Sequence, residues 1–322
     1  MKKNILIAAG IILITGISCK TSKTAVESYD TAPDTPAETI SAPVETVVYI
    51  KSEKEIFEEK TKDIALSINS SPPQTVNGTD FKTPFSVKVK KVDGSPVENF
   101  PILVRYPSKN ENGNISFSEE ELSTDAEGIA VYIPKTPSFS CNTQLDFLPY
   151  VPTSDEEVIK AASSLGVSAP WKVRTNLARK GGLIGLVDYN AKGAALADTL
   201  SSSFLLKELM NNGFSNIGNF DIPRSMLGDR QAVYKHVNNI VGNSVSYLIY
   251  GTIKYLSPVE KNDKTYSCTL EADISCMDIK TGNILYSTVK SVTATDTTEW
   301  KVISSARAIL AKELGQAIIF NM

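Results

Sequence analysis

One histidine, two tryptophans and four cysteines in 322 residues leave little material for most catalytic schemes. His236, the single imidazole, sits in the run AVYKHVNN at the middle of a helical pattern. No Gly-x-Ser-x-Gly elbow accompanies it, so Ser-His-Asp and Cys-His arrangements have no other base to use. A basic surplus is missing too. The net charge of −3 provides no cationic stripe to displace counterions from phosphates, which argues against nucleic acid as a partner. Gly181-Gly182 and Asp188 flank an apolar strand, but the Asn190-Ala-Lys-Gly193 turn fits neither Gly-x-Gly-x-x-Gly nor the Walker lysine pattern. No cysteine or histidine spacing suits a metal. Glu119, Glu120 and Glu121 lack the alternating aspartates of a calcium loop and read as a solvated loop. Asp155, Glu156 and Glu157 stand where a helix start favours negative charge. No cofactor and no metal are implied, and the reading is of a protein that is not an enzyme.

Long apolar runs are absent beyond the amino terminus, so no later segment reaches the roughly 20 residues that a spanning helix requires. The first nineteen residues, MKKNILIAAGIILITGISC, are the exception. Lys2 and Lys3 form a basic head, Ile5 to Ile14 is apolar, and Thr15, Gly16 and Ser18 are small residues just before Cys19. This is the layout of a secretory signal peptide, and ending on cysteine it resembles a bacterial lipoprotein signal. Gly16 stands where leucine is usual in that box. The resemblance implies that the Cys19 sulfur is fatty-acylated, with palmitate among the expected chains, and that Cys19 becomes the new amino terminus. Each buried methylene contributes ~0.8 kcal/mol, so two or more chains anchor stably where one does not. Lys20 follows with no aspartate, which favours the outer over the inner membrane, on the periplasmic side of the envelope. With Cys19 assigned to lipid, Cys141, Cys268 and Cys276 remain. Cys268 and Cys276 share one strand pattern and would lie ~26 Å apart, beyond disulfide reach. Buried free thiols are the expectation for all three.

The rest divides by composition into several domains. Residues 20–62 hold a Ser-, Thr-, Pro- and acid-rich stretch, KTSKTAVESYDTAPDTPAETISAPVE, that cannot bury enough apolar surface to order itself. It reads as a flexible tether of roughly 25–30 Å. A short charged helix closes it from about Ser52 to Lys60, with Ser52 and Glu55 spaced as a capping box. Residues 63–152 read as short strands between turns: Phe85, Val87 and Val89 alternate, Asp93-Gly94 turns, Pro101 to Tyr106 is a strand, Asn112-Gly113 turns, and Ile129, Val131 and Ile133 alternate. Gln144 to Leu148 closes the set. DGSPVENFPILVRY followed by TDAEGIAVYIP resembles bacterial immunoglobulin-like domains of the invasin and carboxypeptidase-regulatory type. The resemblance implies an all-β immunoglobulin-like sandwich. Residues 153–181 read as a helical linker with a helix from Ser154 to about Leu165. Pro170 to Arg174 fits either a last strand of the sandwich or a link onward.

Residues 182–322 change period. Leu183 to Val187 is an apolar strand, Ala191 to Met210 repeats at helical spacing, and Ile217 to Phe220 is a strand. A helix from Arg224 to Val241, strands from Tyr247, Tyr266 and Ile284, and a helix from Thr298 to Phe320 follow. The order β-α-β-α-β-β-β-α predicts an α+β mixed-sheet domain. Within it, SYLIYGTIKYL and MDIKTGNILYSTVKS, through Tyr247, Leu248, Ile249, Gly251, Ile253, Asp278, Thr281, Gly282 and Ile284, resemble the superfamily of the curli secretion channel and the penicillin-binding-protein activator lipoproteins. The channel members need long amphipathic hairpins, for which this domain has no spare residues, so a pore is not expected. The activator plan of lipid anchor, tether and small domain implies docking on another envelope component, a peptidoglycan synthase or a secretion assembly. The alternative is a surface adhesin or glycan binder that uses the sandwich loops. The oligomeric state is open.

Overall fold

The computed structural model describes residues 50–111 and 113–322. The signal segment, Cys19 and the tether up to residue 49 lie outside the described residues. The remainder is β-rich, with three sheets and five α-helices.

α1 (Glu53–Thr61) opens with the expected capping box, since Ser52 and Glu55 exchange side-chain and backbone bonds. It does not hang free as the end of a tether: Phe57 packs with Val158 and Ala162, and Lys54 pairs with Glu157 at 3.0 Å. Seven strands follow: β1 (Ile64–Ser70), β2 (Thr75–Val76), β3 (Phe85–Lys91), β4 (Pro101–Glu111), β5 (Asn114–Ser123), β6 (Ile129–Tyr132) and β7 (Cys141–Pro149). Glu119, Glu120 and Glu121 belong to β5 and not to a loop; exposed on an edge strand, they need no loop to stay solvated. α2 (Glu156–Leu165) starts two residues later than expected. Asp155, not Ser154, is its cap and accepts from the Glu157 N–H.

The stretch 153–181 is only half helical. β8 (Val167–Arg174) returns to pair with β7 and β2 because its alternating Ala169, Trp171 and Val173 have a core to fill. The first sheet has the order β1-β3-β6 and the second β2-β8-β7-β4-β5. One buried cluster joins them: Phe85, Val87 and Val89 meet Ile102, Val104, Leu145, Phe147 and Trp171, and the Phe85 ring stacks on Trp171 at 5.3 Å. Burying such rings contributes most of the driving force here. The two loops that carry the sequence resemblance touch each other. Thr124 donates to the Val97 carbonyl at 2.6 Å and accepts from the Phe100 N–H at 2.8 Å.

The third sheet begins with β9 (Gly182–Asp188). α3 (Leu200–Asn211) starts nine residues later than the periodicity suggests, because the Asn190 side chain accepts from the Lys192 and Ala194 N–H groups and turns the chain away from a helix. After β10 (Ile217–Asn219), the expected helix from Arg224 is interrupted: Arg224–Met226 makes one 3-10 turn, and α4 (Arg230–Val241) starts afresh on its Asp229 cap. β11 (Tyr247–Asn262) and β13 (Ile284–Asp296) run past the expected ends at Tyr255 and Ala294, while β12 (Thr265–Asp278) is shifted by one residue from the expected Tyr266 to Ile279. β11 continues past Tyr255 because register shifts on either side of Ser257 accommodate Pro258 in a bulge. α5 (Glu299–Asn321) ends the chain, capped by Thr298.

The strand order is β10-β9-β11-β12-β13, parallel on the β10-β9-β11 side and antiparallel beyond. α3 and α5 cover one face with Leu205, Leu209, Leu310, Leu314 and Ile318. α4 covers part of the other with Val233 and Val237 on Leu248, Tyr250 and Met277. Among the described residues no helix is long and apolar enough to cross a membrane.

Candidate functional site

The residues that chemistry would favour are scattered by the fold. His236 is half-buried on α4, its ring 5.8 Å from that of Phe220, and no acid or nucleophile is bonded to it. Asp155 and Glu157 serve α2, the first as cap and the second as partner of Lys54. Asn190 builds its own turn. Cys141, Cys268 and Cys276 are free and buried. Burial pushes the Cys141 thiol up to about 12 and raises Cys268 and Cys276 as well. A thiol held protonated is a packing group and not a nucleophile. Among the described residues no cluster of His, Cys, Asp and Glu could hold a metal.

One buried polar group stands out. Asp188, 1% exposed at the end of β9, accepts from the Ser201 N–H at 3.0 Å, and the Arg307 guanidinium on α5 lies 3.8 Å away. This residue flanks the apolar strand considered above for phosphate binding. In the fold one oxygen of its carboxylate accepts from the first turn of α3 and faces a cation from α5, so it pins three elements together.

The crevices are open and shallow in chemistry. One of about 540 Å³ lies between the first two sheets and the start of β13, with Asn77, Asn110, Ser138, Tyr286 and Asn321 in its wall. Another of about 360 Å³ is lined by Arg174, Arg179, Thr175 and Asn212. Neither joins an acid to a base.

The open surface of the third sheet is a better candidate. Where α4 ends, the sheet face is exposed or half-buried among the described residues: Thr252, Lys254 and Leu256 on β11, Thr269, Glu271 and Asp273 on β12, and Ser287, Val289, Ser291 and Thr293 on β13 share it by register. Its hydroxyls pair across strands, Thr269 with Thr293 and Ser275 with Ser287, each at 2.9 Å. β13 is the edge. A hydroxyl-rich face beside an edge strand leaves backbone donors and acceptors open to pairing. Sequence reading named none of these residues as a site. Their only early signal was alternation, which core strands share.

Residues 181–319 match the family model of the TP0693-like lipoprotein C-terminal domain. That span is the third sheet with α3, α4 and α5. Among solved structures, a PelC dodecamer from Paraburkholderia phytofirmans is 13% identical, covering 43% of this chain and 89% of that one at a TM-score of 0.30. Lipoprotein GNA1162 from Neisseria meningitidis is 14% identical, with coverage of 42% and 98% and a TM-score of 0.25. The LpoB C-terminal domain from Salmonella enterica is 17% identical, with coverage of 35% and 84% and a TM-score of 0.22. Scores this low carry no functional weight. No curated protein matches the chain.

The matched span contains both motifs singled out in the sequence, and their work is structural. Asp278 accepts from the Lys280 and Thr281 N–H groups, Gly282 takes φ 70° and donates to the Asp278 carbonyl, and Asn283 donates to Thr281. These residues make the β12–β13 turn. A likeness resting on them speaks to the fold.

Proposed function

We propose that this chain is a non-enzymatic lipoprotein of the cell envelope, anchored through acylated Cys19, that docks on another envelope protein through its carboxy-terminal domain. The match of residues 181–319 to a lipoprotein domain family carries the reading. The amino-terminal layout of basic head, apolar run and Cys19 supports it independently. In this reading residues 20–49 are the tether, the first two sheets form the immunoglobulin-like sandwich that acts as a spacer, and the third belongs to the curli-secretion and activator-lipoprotein superfamily. The outer membrane, periplasmic side, is the location favoured by Lys20. The open face of the third sheet is the docking surface, and no cofactor or nucleic acid takes part.

The anchor is tested on the native protein. Mass spectrometry is expected to find an amino-terminal Cys19 carrying acyl chains, and Cys19→Ala is expected to move the protein from the membrane to the soluble fraction. An unprocessed Met1 with a bare thiol would end the proposal. Location is tested by protease treatment of intact cells. Protection fits a periplasmic docking protein, whereas cleavage of the sheets would favour the surface adhesin.

A further inference from the structure

Sheet edges are where one chain adds to another, and the edges of this molecule are not alike. β2, β10 and β6 are two, three and four residues long. β1 is broken by a register shift between Ile68 and Ser70, and β5 carries Glu119, Glu120 and Glu121. Shortness, bulges and charge are the usual means of blocking unwanted strand addition. β13 is blocked far less: its register shift is confined to its start, between Ile284 and Tyr286, and its charges are Lys290 and Asp296 alone. It is 13 residues long, contains no proline, and keeps unbroken register with β12 from Tyr286 to Asp296. Among the described strands none lies on its outer side. Its first residues, Ile284 to Ser287, border the crevice against the first two sheets, which leaves 288–296 as the open edge.

The open edge matches itself. Its sequence is TVKSVTATD, with Lys290 and Asp296 as its only charges. An antiparallel second copy centred on Thr293 places Lys290 opposite Asp296 twice. It also sets Ser291 opposite Thr295, Val292 opposite Ala294 and Thr293 opposite itself. Centring on Lys290 would instead oppose like charges. Opposite charges, β-branched pairs and hydroxyl pairs stabilise cross-strand neighbours, and like charges destabilise them. Thr293 already bonds Thr269 at 2.9 Å, so the row of hydroxyls would continue into the second copy. The Asp296 carboxylate accepts from Thr297 and Ser305 and retains lone pairs for a lysine.

We propose that the chain self-associates through β13, two copies pairing antiparallel about a two-fold axis at Thr293. The pairing is isologous, so it closes at a dimer. It concerns a second copy of this chain and holds or fails independently of the lipid anchor.

The test uses the full-length chain in its native membrane and in detergent. In Thr293→Cys the two Cα atoms would face each other at about 4.5–5.5 Å, within the Cα separation that a disulfide bridges. A mild oxidant is expected to give a disulfide-linked dimer from Thr293→Cys and none from the unsubstituted chain. Val289→Cys should give none either, since the two copies of residue 289 lie far apart along the paired strands. Two differently tagged copies, one Ser291→Cys and one Thr295→Cys, are expected to cross-link to each other. Lys290→Asp should abolish the Thr293→Cys dimer, and Lys290→Asp with Asp296→Lys should restore it. Circular dichroism checks that each variant is folded, and sedimentation of the unsubstituted chain supplies a readout free of substitutions. A monomer by sedimentation, equal cross-linking at positions 289 and 293, or capture of a different protein at position 293 would each overturn the proposal.

Discussion

Asp188 shows how a single residue can look like a ligand site in a sequence and turn out to be a structural pin. Its carboxylate is buried against the Arg307 guanidinium at 3.8 Å, while Asp188 Oδ1 and Arg307 Nε have no protein partner. Such a half-satisfied pair adds little net stability, yet breaking it strands a charge in the core. Arg307→Ala is therefore expected to cost roughly 3–5 kcal/mol, read as a lower midpoint in urea. The double replacement Asp188→Leu with Arg307→Met should cost clearly less than Arg307→Ala alone. If the single change proved silent, the pin would be no pin. The thiols give a second check at this scale. With Cys141, Cys268 and Cys276 buried and their thiols held protonated, a maleimide at pH 8 should label none of them in the native protein and all three in denaturant. Rapid native labelling would contradict the packing.

At the scale of elements, Gly251 in the middle of β11 has a function that its neighbours lack. A Cβ there would run into the backbone carbonyl of Asp273 on β12, whereas a Cβ at Gly218 in β10 meets nothing within 4 Å. Gly251→Ala is expected to destabilise by more than about 3 kcal/mol. Gly218→Ala should stay within roughly 0.5 kcal/mol. Comparable thermal midpoints for the two variants would refute the difference. Gly251 stood in a sequence motif, and features fixed by local chemistry were legible as well: the Ser52 capping box and a last helix opening at Thr298. Features fixed by distant partners were not legible. β8 looked undecided because the core that receives Trp171 lies in strands far earlier in the chain, from Phe147 back to Phe85. The nine residues lost from the start of α3 kept helical spacing in Ala194 and Leu196, but the Asn190 side chain and the Asp188 cap site decide where that helix begins. The candidate surface was the least visible of all. β13 is an edge only through the strand order, and Val289 or Thr293 reads the same in a central strand.

At the scale of the whole molecule, the first two sheets and the third are joined by bonds that meet at the end of β8. The Arg174 guanidinium donates to the Asn212 carbonyl at the end of α3, and the next residue, buried Thr175, donates its N–H to the Ile319 carbonyl of α5 at 2.8 Å. Helix ends carry carbonyls without partners inside the helix, so an arginine that reaches one satisfies a group otherwise left to solvent. A charge-assisted bond of this kind contributes about 1.5–3 kcal/mol. Because it ties one core to another, its loss should also uncouple their unfolding. Two probes can separate them. Trp171 is 3% exposed within the core of the first two sheets, whereas Trp300 is 75% exposed on α5 and should change its emission little on unfolding. Tryptophan emission thus follows the first core, and far-UV ellipticity is weighted toward α3, α4 and α5. In the unsubstituted protein the two curves should coincide. In Arg174→Ala they should separate, with the helical signal lost at lower urea because α3 gives up its hold on β8. Coincident curves at an unchanged midpoint would mean that the cores are coupled by some other contact, or not coupled through this junction at all.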